Sequence, residues 1–304
     1  MKNPVNKGYE LKNEDSFKVD EIVKTYKRDF DQDVSKYFND VKIVKIYKCK
    51  KTKYRFYFPF TILGDGEFYE SLSKIKKNYY HSRWEHKLAL KYAKKAEKWI
   101  EIGSGNSYFL KQLISKGVFC IGLEFNQLEV DDARANGLNV EKKDFFDLSE
   151  ELGKFNVVAL FQVLEHMWNI SIFFKKASEL LEEKGKLIFS VPNSNPYLYV
   201  YDKFHTLNLP PHHMGLWDAE SVKLVGKEFG FKVINCQTEK LSENELDNLF
   251  KNSKTSDLLK LNIKYGILKI IYVFTPITFK PRLSAFFRNH CLEGRNLFVV
   301  LEKL

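Results

Sequence analysis

Paired cysteines are missing from this sequence. Its four cysteines, Cys49, Cys120, Cys236 and Cys291, lie far apart along 304 residues. That spacing excludes a disulfide scaffold and points to a reducing compartment. Cys49 opens C-K-K-T without the second thiolate that a zinc knuckle needs, so no metal is expected there. No run of about 18 apolar residues is present, the length that would span a bilayer. The first ten residues, M-K-N-P-V-N-K-G-Y-E, contain no apolar core of the kind a secretory signal needs. The expectation is a cytoplasmic protein.

What the chain does have is apolar mass. Hydrophobic residues make up 44%, with 26 Phe and 16 Tyr, enough for a substantial core. The formal net charge is +10, but the lysines are scattered and acids are interspersed among them. Such a pattern reads first as a solvated surface, and charge alone names no partner.

Residues 1 to about 40 are polar and mixed in charge, and are expected to be partly ordered at most. From Val41 the pattern turns β-like. V-K-I-V-K-I-Y-K and Y-R-F-Y-F-P-F flank C-K-K-T-K, with Tyr54, Phe56, Phe58 and Phe60 on one face, which predicts a hairpin. The stretch from Phe68 to Ala93 reads as helical, with Trp84, Leu88 and Tyr92 on one face. Residues 1–77 are thus read as an N-terminal appendage and 78–304 as the main domain. From Trp99 strands and helices alternate: W-I-E-I, V-F-C-I-G-L-E, N-V-E-K-K-D-F, F-N-V-V-A-L-F and G-K-L-I-F-S-V-P-N are strands. F-K-V-I-N-C and N-L-F-V-V-L-E-K form a last pair, split by an insertion at 252–292. This order predicts an α/β fold, a doubly wound, mostly parallel seven-stranded Rossmann-like sheet with an antiparallel C-terminal strand. A helical insertion precedes that last strand.

In such a sheet the ligand sits beyond the carboxyl ends of the strands, where strand order reverses. The first strand runs into Glu101-Ile102-Gly103-Ser104-Gly105 and then a helix. Gly103 and Gly105 let the backbone approach a ligand without a Cβ in the way. A dinucleotide site would want a further glycine where Tyr108 stands. A carboxylate at Glu101 suits a cationic amine instead, as S-adenosylmethionine carries.

Glu101-Ile-Gly-Ser-Gly resembles motif I of the class I S-adenosylmethionine-dependent methyltransferases, and three further features follow in that family's order. The resemblance covers roughly residues 78–240 and the closing strand near 295–303. It implies that Glu124, with Phe125 after it, binds the ribose hydroxyls. It implies that Asp144 meets the adenine amine, with Phe145 beside the ring. Phe161-Gln162-Val163-Leu164-Glu165-His166 resembles the segment that closes over the methionine moiety. Tyr79, Tyr80 and Arg83 stand where this family often has residues that close over the cofactor, and plain helix packing is the alternative for them.

Transfer to a hydroxyl needs alignment and removal of a proton. Leu209-Pro-Pro-His-His-Met-Gly215 follows the fifth strand, so His212 and His213 lie at the cofactor edge as candidate bases, with His166 a third. In quinone-biosynthesis and small-RNA methyltransferases an E-x-x-E-H segment related to the one here binds a divalent metal. Gln162 replaces its first glutamate, which removes a hard oxygen anion, so a metal is not expected. The N-terminal hairpin, Y-Y-H-S-R-W-E and P-P-H-H look similar to bacterial methyltransferases of surface-glycan pathways.

The resulting expectation is an enzyme that O-methylates a sugar or small hydroxylated metabolite and leaves S-adenosylhomocysteine. The insertion is read as a lid over the acceptor. The other reading has residues 265–290 lying in a lipid interface, which would suit a lipid-linked acceptor. Two rivals stay open. A nucleic-acid methyltransferase would use the net charge, although the chain has no N-P-P-[YF] motif. A non-catalytic domain would keep the cofactor fold as a scaffold.

Overall fold

The structure is a computed structural model that describes residues 2–75, 83–148, 153–201 and 203–304. The polar N-terminus is more ordered than its composition suggests. Strand β1 (Leu11–Lys18) leads into helix α1 (Val19–Phe30), followed by β2 (Ile43–Cys49) and β3 (Arg55–Phe58). The few apolar residues of this stretch fall one turn apart or on one strand face. Phe17, Ile22, Tyr26 and Phe38 are buried together with Val44, Ile46 and Tyr57. That sparse but regular spacing supplies a core that the mean composition hides.

The expected hairpin is part of a larger sheet. β1, β2 and β3 pair antiparallel, and a fourth strand, β9 (Gly215–Leu216), joins β3 from far along the chain. Both faces are covered. Tyr57 faces the N-terminal core, while Tyr54 and Phe56 belong to the core of the main domain. There Tyr54 meets Trp217 at a ring separation of 4.3 Å.

The expected single helix over 68–93 is also broken. Helix α2 (Gly66–Ile75) and helix α3 (Trp84–Ala89) are separate, and Arg83 before α3 is extended at φ −115°, ψ 155°. Trp84, Leu88 and Tyr92 still pack in one cluster with Trp99 and Phe109, Tyr92 from beyond the helix end.

The main domain follows the alternation read from the sequence. Its elements are β4 (Lys98–Ile102), α4 (Tyr108–Ser115), β5 (Phe119–Leu123), α5 (Gln127–Ala135) and β6 (Val140–Glu141). After them come β7 (Phe155–Phe161), α6 (Ile170–Leu180), β8 (Leu181–Pro192), α7 (Ala219–Glu228), β10 (Phe231–Thr238) and β11 (Asn296–Lys303). The seven strands lie in the order β10-β11-β8-β7-β4-β5-β6. β4 to β8 pair in parallel, and β11 runs antiparallel to both β8 and β10. The last strand is therefore interior, and Leu297 to Leu301 are all buried. β10 takes the edge. The pleat of β4 sends Ile100 and Ile102 to one face and Trp99 to the other. Strand order reverses between β4 and β7, which opens a crevice at their carboxyl ends.

Between β10 and β11 the insertion is helical, with α8 (Glu243–Asn252), α9 (Thr255–Leu261), α10 (Ile263–Phe274) and α11 (Lys280–His290). Leu249, Phe250, Leu258, Leu268 and Phe287 build its own small core against Tyr197 and Leu198 of the turns after β8.

Candidate functional site

A cleft of about 1200 Å3 opens at the strand-order reversal, with the β4–α4 glycine turn in its wall. Gly103 has φ +72°, and a Cβ there would meet Val163 Cγ2 at 2.7 Å, so only glycine fits. Gly105, also at positive φ, donates its N–H to Glu124 Oε2 at 2.8 Å. Glu124 Oε1 accepts from the N–H groups of Phe125 and Asn126 at 2.8 and 2.9 Å. The turn after β5 thus locks this carboxylate against the glycine turn after β4.

Glu101 lies beneath them, lining the cleft yet only 3% exposed. Burial pushes its carboxyl well above the usual carboxylate range, and the neighbouring Glu124 adds to the effect. Its Oε2 has no hydrogen-bond partner among the described residues. A buried acceptor left without a donor calls for a cationic or N–H group from a ligand.

Asp144 lines the cleft while its Oδ1 accepts from Phe146 N at 3.0 Å, capping a short helical turn. Phe145 is buried beside it, and Phe125 is exposed at the opening. Phe161 packs edge-on against His86 and Phe109. Gln162, at φ +57°, lines the cleft and donates its amide to Glu85 Oε1 and Ser190 Oγ, at 3.3 and 3.2 Å. Arg83 lines the cleft, whereas Tyr79 and Tyr80 lie outside the described residues.

The three histidines meet on another part of the wall. His166, His212 and His213 each offer one ligand atom within 4.8 Å of the others'. His166 Nδ1 meets His212 O at 2.6 Å, and His212 Nδ1 meets Leu207 O at 2.7 Å. A carbonyl accepts only from an N–H, so in the neutral form of either ring Nε2 carries the lone pair. Burial pushes His166 down to about 4, so its ring is neutral near pH 7. Glu165 sits behind them, 1% exposed, with His213 Nε2 at 4.0 Å from its Oε1. Burial raises Glu165 to about 8, and neither of its oxygens has a hydrogen-bond partner among the described residues. Among the described residues the three imidazoles form the donor set best suited to a metal; Gln162 donates its amide to Glu85 and Ser190 instead.

The N-terminal unit enters the site, which the sequence reading did not anticipate. Asp65, Tyr69 and Glu70 line the cleft, and Tyr69 donates its hydroxyl to His212 O at 3.2 Å. Gly64 N–H donates to Pro211 O at 2.9 Å, tying the start of α2 to the histidine loop. The Gly64-Asp65-Gly66 turn was the visible signal, but nothing local assigned it a place beside residues 211–213. None of the described residues 252–292 lines the cleft, so the insertion does not cover it in this conformation.

Residues 76–235, a little over half of the 304, match the family described as methyltransferase domain. The ubiquinone biosynthesis O-methyltransferase of Coxiella burnetii is 23% identical over 108 residues, 34% of this chain and 46% of that protein. The matched stretch is thus under half the length of this curated relative. A SAM dependent methyltransferase from Archaeoglobus fulgidus superposes with a TM-score of 0.51 and 17% identity, covering 79% of this chain and 100% of that one. One from Mesorhizobium loti gives 0.49 and 14%, covering 72% and 98%. The Archaeoglobus likeness supports the Rossmann-like fold described above.

Proposed function

The chain belongs to the class I, S-adenosylmethionine-dependent methyltransferase family, and from that premise we propose that it methylates a hydroxyl oxygen of a sugar or small hydroxylated metabolite. The observation that carries this reading is that one cleft is lined by two groups of residues. Glu101, Glu124 and Asp144 form an acidic group around the glycine turn, and His166, His212 and His213 a basic one facing the same space.

S-adenosylmethionine supplies an electrophilic methyl group on a sulfonium sulfur. Glu101 would hold its amine, since the orphaned Oε2 of a buried carboxylate is satisfied by a cationic donor. Glu124 and Asp144 would take the ribose and adenine edges, with Phe125 and Phe145 beside the ring. Phe161, Gln162 and Arg83 would close the methionine end. His213 accepts the proton of the acceptor hydroxyl, and the protonated carboxyl of Glu165 lies 4.0 Å behind its Nε2. His166 and His212 position that ring. Asp65, Tyr69 and Glu70 offer hydrogen-bonding groups that suit a polyhydroxylated acceptor.

Calorimetric titration with S-adenosylhomocysteine tests the cofactor half. Micromolar binding by the parent, lost in Glu101→Gln and Glu124→Ala, is the expected outcome. Binding unchanged in both variants would dismiss the assignment. Methyl transfer from labelled S-adenosylmethionine to a panel of sugars, hydroxylated aromatics and RNA then tests the acceptor class, and transfer to RNA alone would overturn it.

A further inference from the structure

Helix α10 is apolar on two opposite faces. Tyr265, Leu268 and Tyr272 are buried in the core of the insertion. Ile263, Ile267, Ile270 and Phe274, at i, i+4, i+7 and i+11, share the opposite face and are exposed, Ile263 by 68% and Phe274 by 82%. The exposed apolar run continues past the helix end through Ile277, also 82% exposed, and Phe279. A surface helix ordinarily turns charged groups outward on that side. A contiguous apolar patch of this kind marks a binding face.

The charge around it selects the occupant. Residues 252–292 contain seven lysines and arginines and one acid, Asp257. Lys260 and Lys264 flank the start of the face and the exposed Arg282 its end, whereas Lys280 turns to the ring of Tyr272. We propose that this face docks on an anionic phospholipid surface. The isoleucines and Phe274 enter the headgroup–acyl boundary, and the flanking cations meet the lipid phosphates. Pairing two copies of the chain through this face would bring two sets of these cations together, which disfavours self-association. At 12 residues α10 is roughly 18 Å long. Among the described residues no helix is long and apolar enough to cross a membrane, so α10 lies in the interface plane.

Co-sedimentation of the full chain with phosphatidylglycerol-containing vesicles tests this, with pure phosphatidylcholine vesicles alongside. Phe274→Ser/Ile277→Ser changes two side chains that touch little of the fold, and retained S-adenosylhomocysteine binding monitors its integrity. The expected result is binding to the anionic vesicles only, weakened by salt and reduced by roughly tenfold or more in the double variant. Absence of vesicle binding, or equal binding by parent and variant, would overturn the proposal. A dimer in solution that the double variant dissociates would reassign the face to a second copy of the chain.

Discussion

His213 Nε2 and Glu165 Oε1 lie 4.0 Å apart at the base of the cleft, and the glutamate is almost fully buried. Its carboxyl is raised to about 8 from an ordinary 4.5. In the unfolded chain the group loses its proton near 4.5, whereas in the folded protein it keeps the proton to about 8. Between those values the unfolded state binds fewer protons, so stability falls as pH rises. Glu165→Gln removes this penalty. The variant is expected to lose roughly 3–5 kcal/mol less than the parent between pH 5 and 8.5 by urea denaturation. Equal pH slopes would mean that the carboxyl is solvated or paired in solution.

His213 as the base predicts a loss confined to turnover. His213→Ala is expected to lower kcat by roughly 10²- to 10⁴-fold while leaving S-adenosylhomocysteine affinity unchanged. The acid limb of the kcat/KM profile, where the base becomes protonated, should disappear with it. His166→Ala acts through positioning, because burial already holds that ring neutral down to about pH 4. Its residual activity should keep the acid limb. If His166→Ala removed the limb and His213→Ala did not, the two roles would be exchanged.

The imidazole cluster makes a chelator experiment decisive. A hydroxyl acceptor deprotonated by His213 needs no metal, so exhaustive dialysis against EDTA should leave kcat unchanged. Loss of activity restored by zinc, cobalt or manganese would instead make His166, His212 and His213 ligands, a nitrogen set suited to those ions.

The glycine-turn half of this cleft was legible because its signals are local. Glu101, Gly103, Gly105, Glu124 and Asp144 each sit at a strand end marked by a change of period, and the sheet order follows from that alternation. The rest depends on pairings between distant segments. β9 joins β3 across more than half of the chain, carrying the histidine loop to the N-terminal unit. No local pattern encodes that pairing. Phe17, Ile22, Tyr26 and Phe38 are too sparse in a polar stretch to announce a core, yet their spacing builds one. The burial of Glu165 was equally hidden, since its neighbours Tyr54 and His213 come from two other segments.

Arg55 is the polar link in that long-range assembly, and it carries the last prediction. The side chain is buried between the two sheets and donates to Ser194 O and Oγ at 3.2 and 2.6 Å. It faces Asp218 at 3.5 Å and Glu14 at 3.8 Å, and covers the ring of Tyr199. Asp218 also caps α7 by accepting from Ser221 N, so one carboxylate serves both the cap and the inter-sheet contact. Arg55→Met would fill much of the space but strand two acids near a buried, uncharged side chain. The expected cost is roughly 3–5 kcal/mol, because breaking a buried pair leaves an uncompensated charge. Arg55→Met with Asp218→Asn should recover part of that loss, since Asn can still cap the helix. Denaturant melts of the parent, the single variant and the double variant measure the coupling. Strictly additive losses would mean that Arg55 acts through packing on Tyr199 and Ser194 alone.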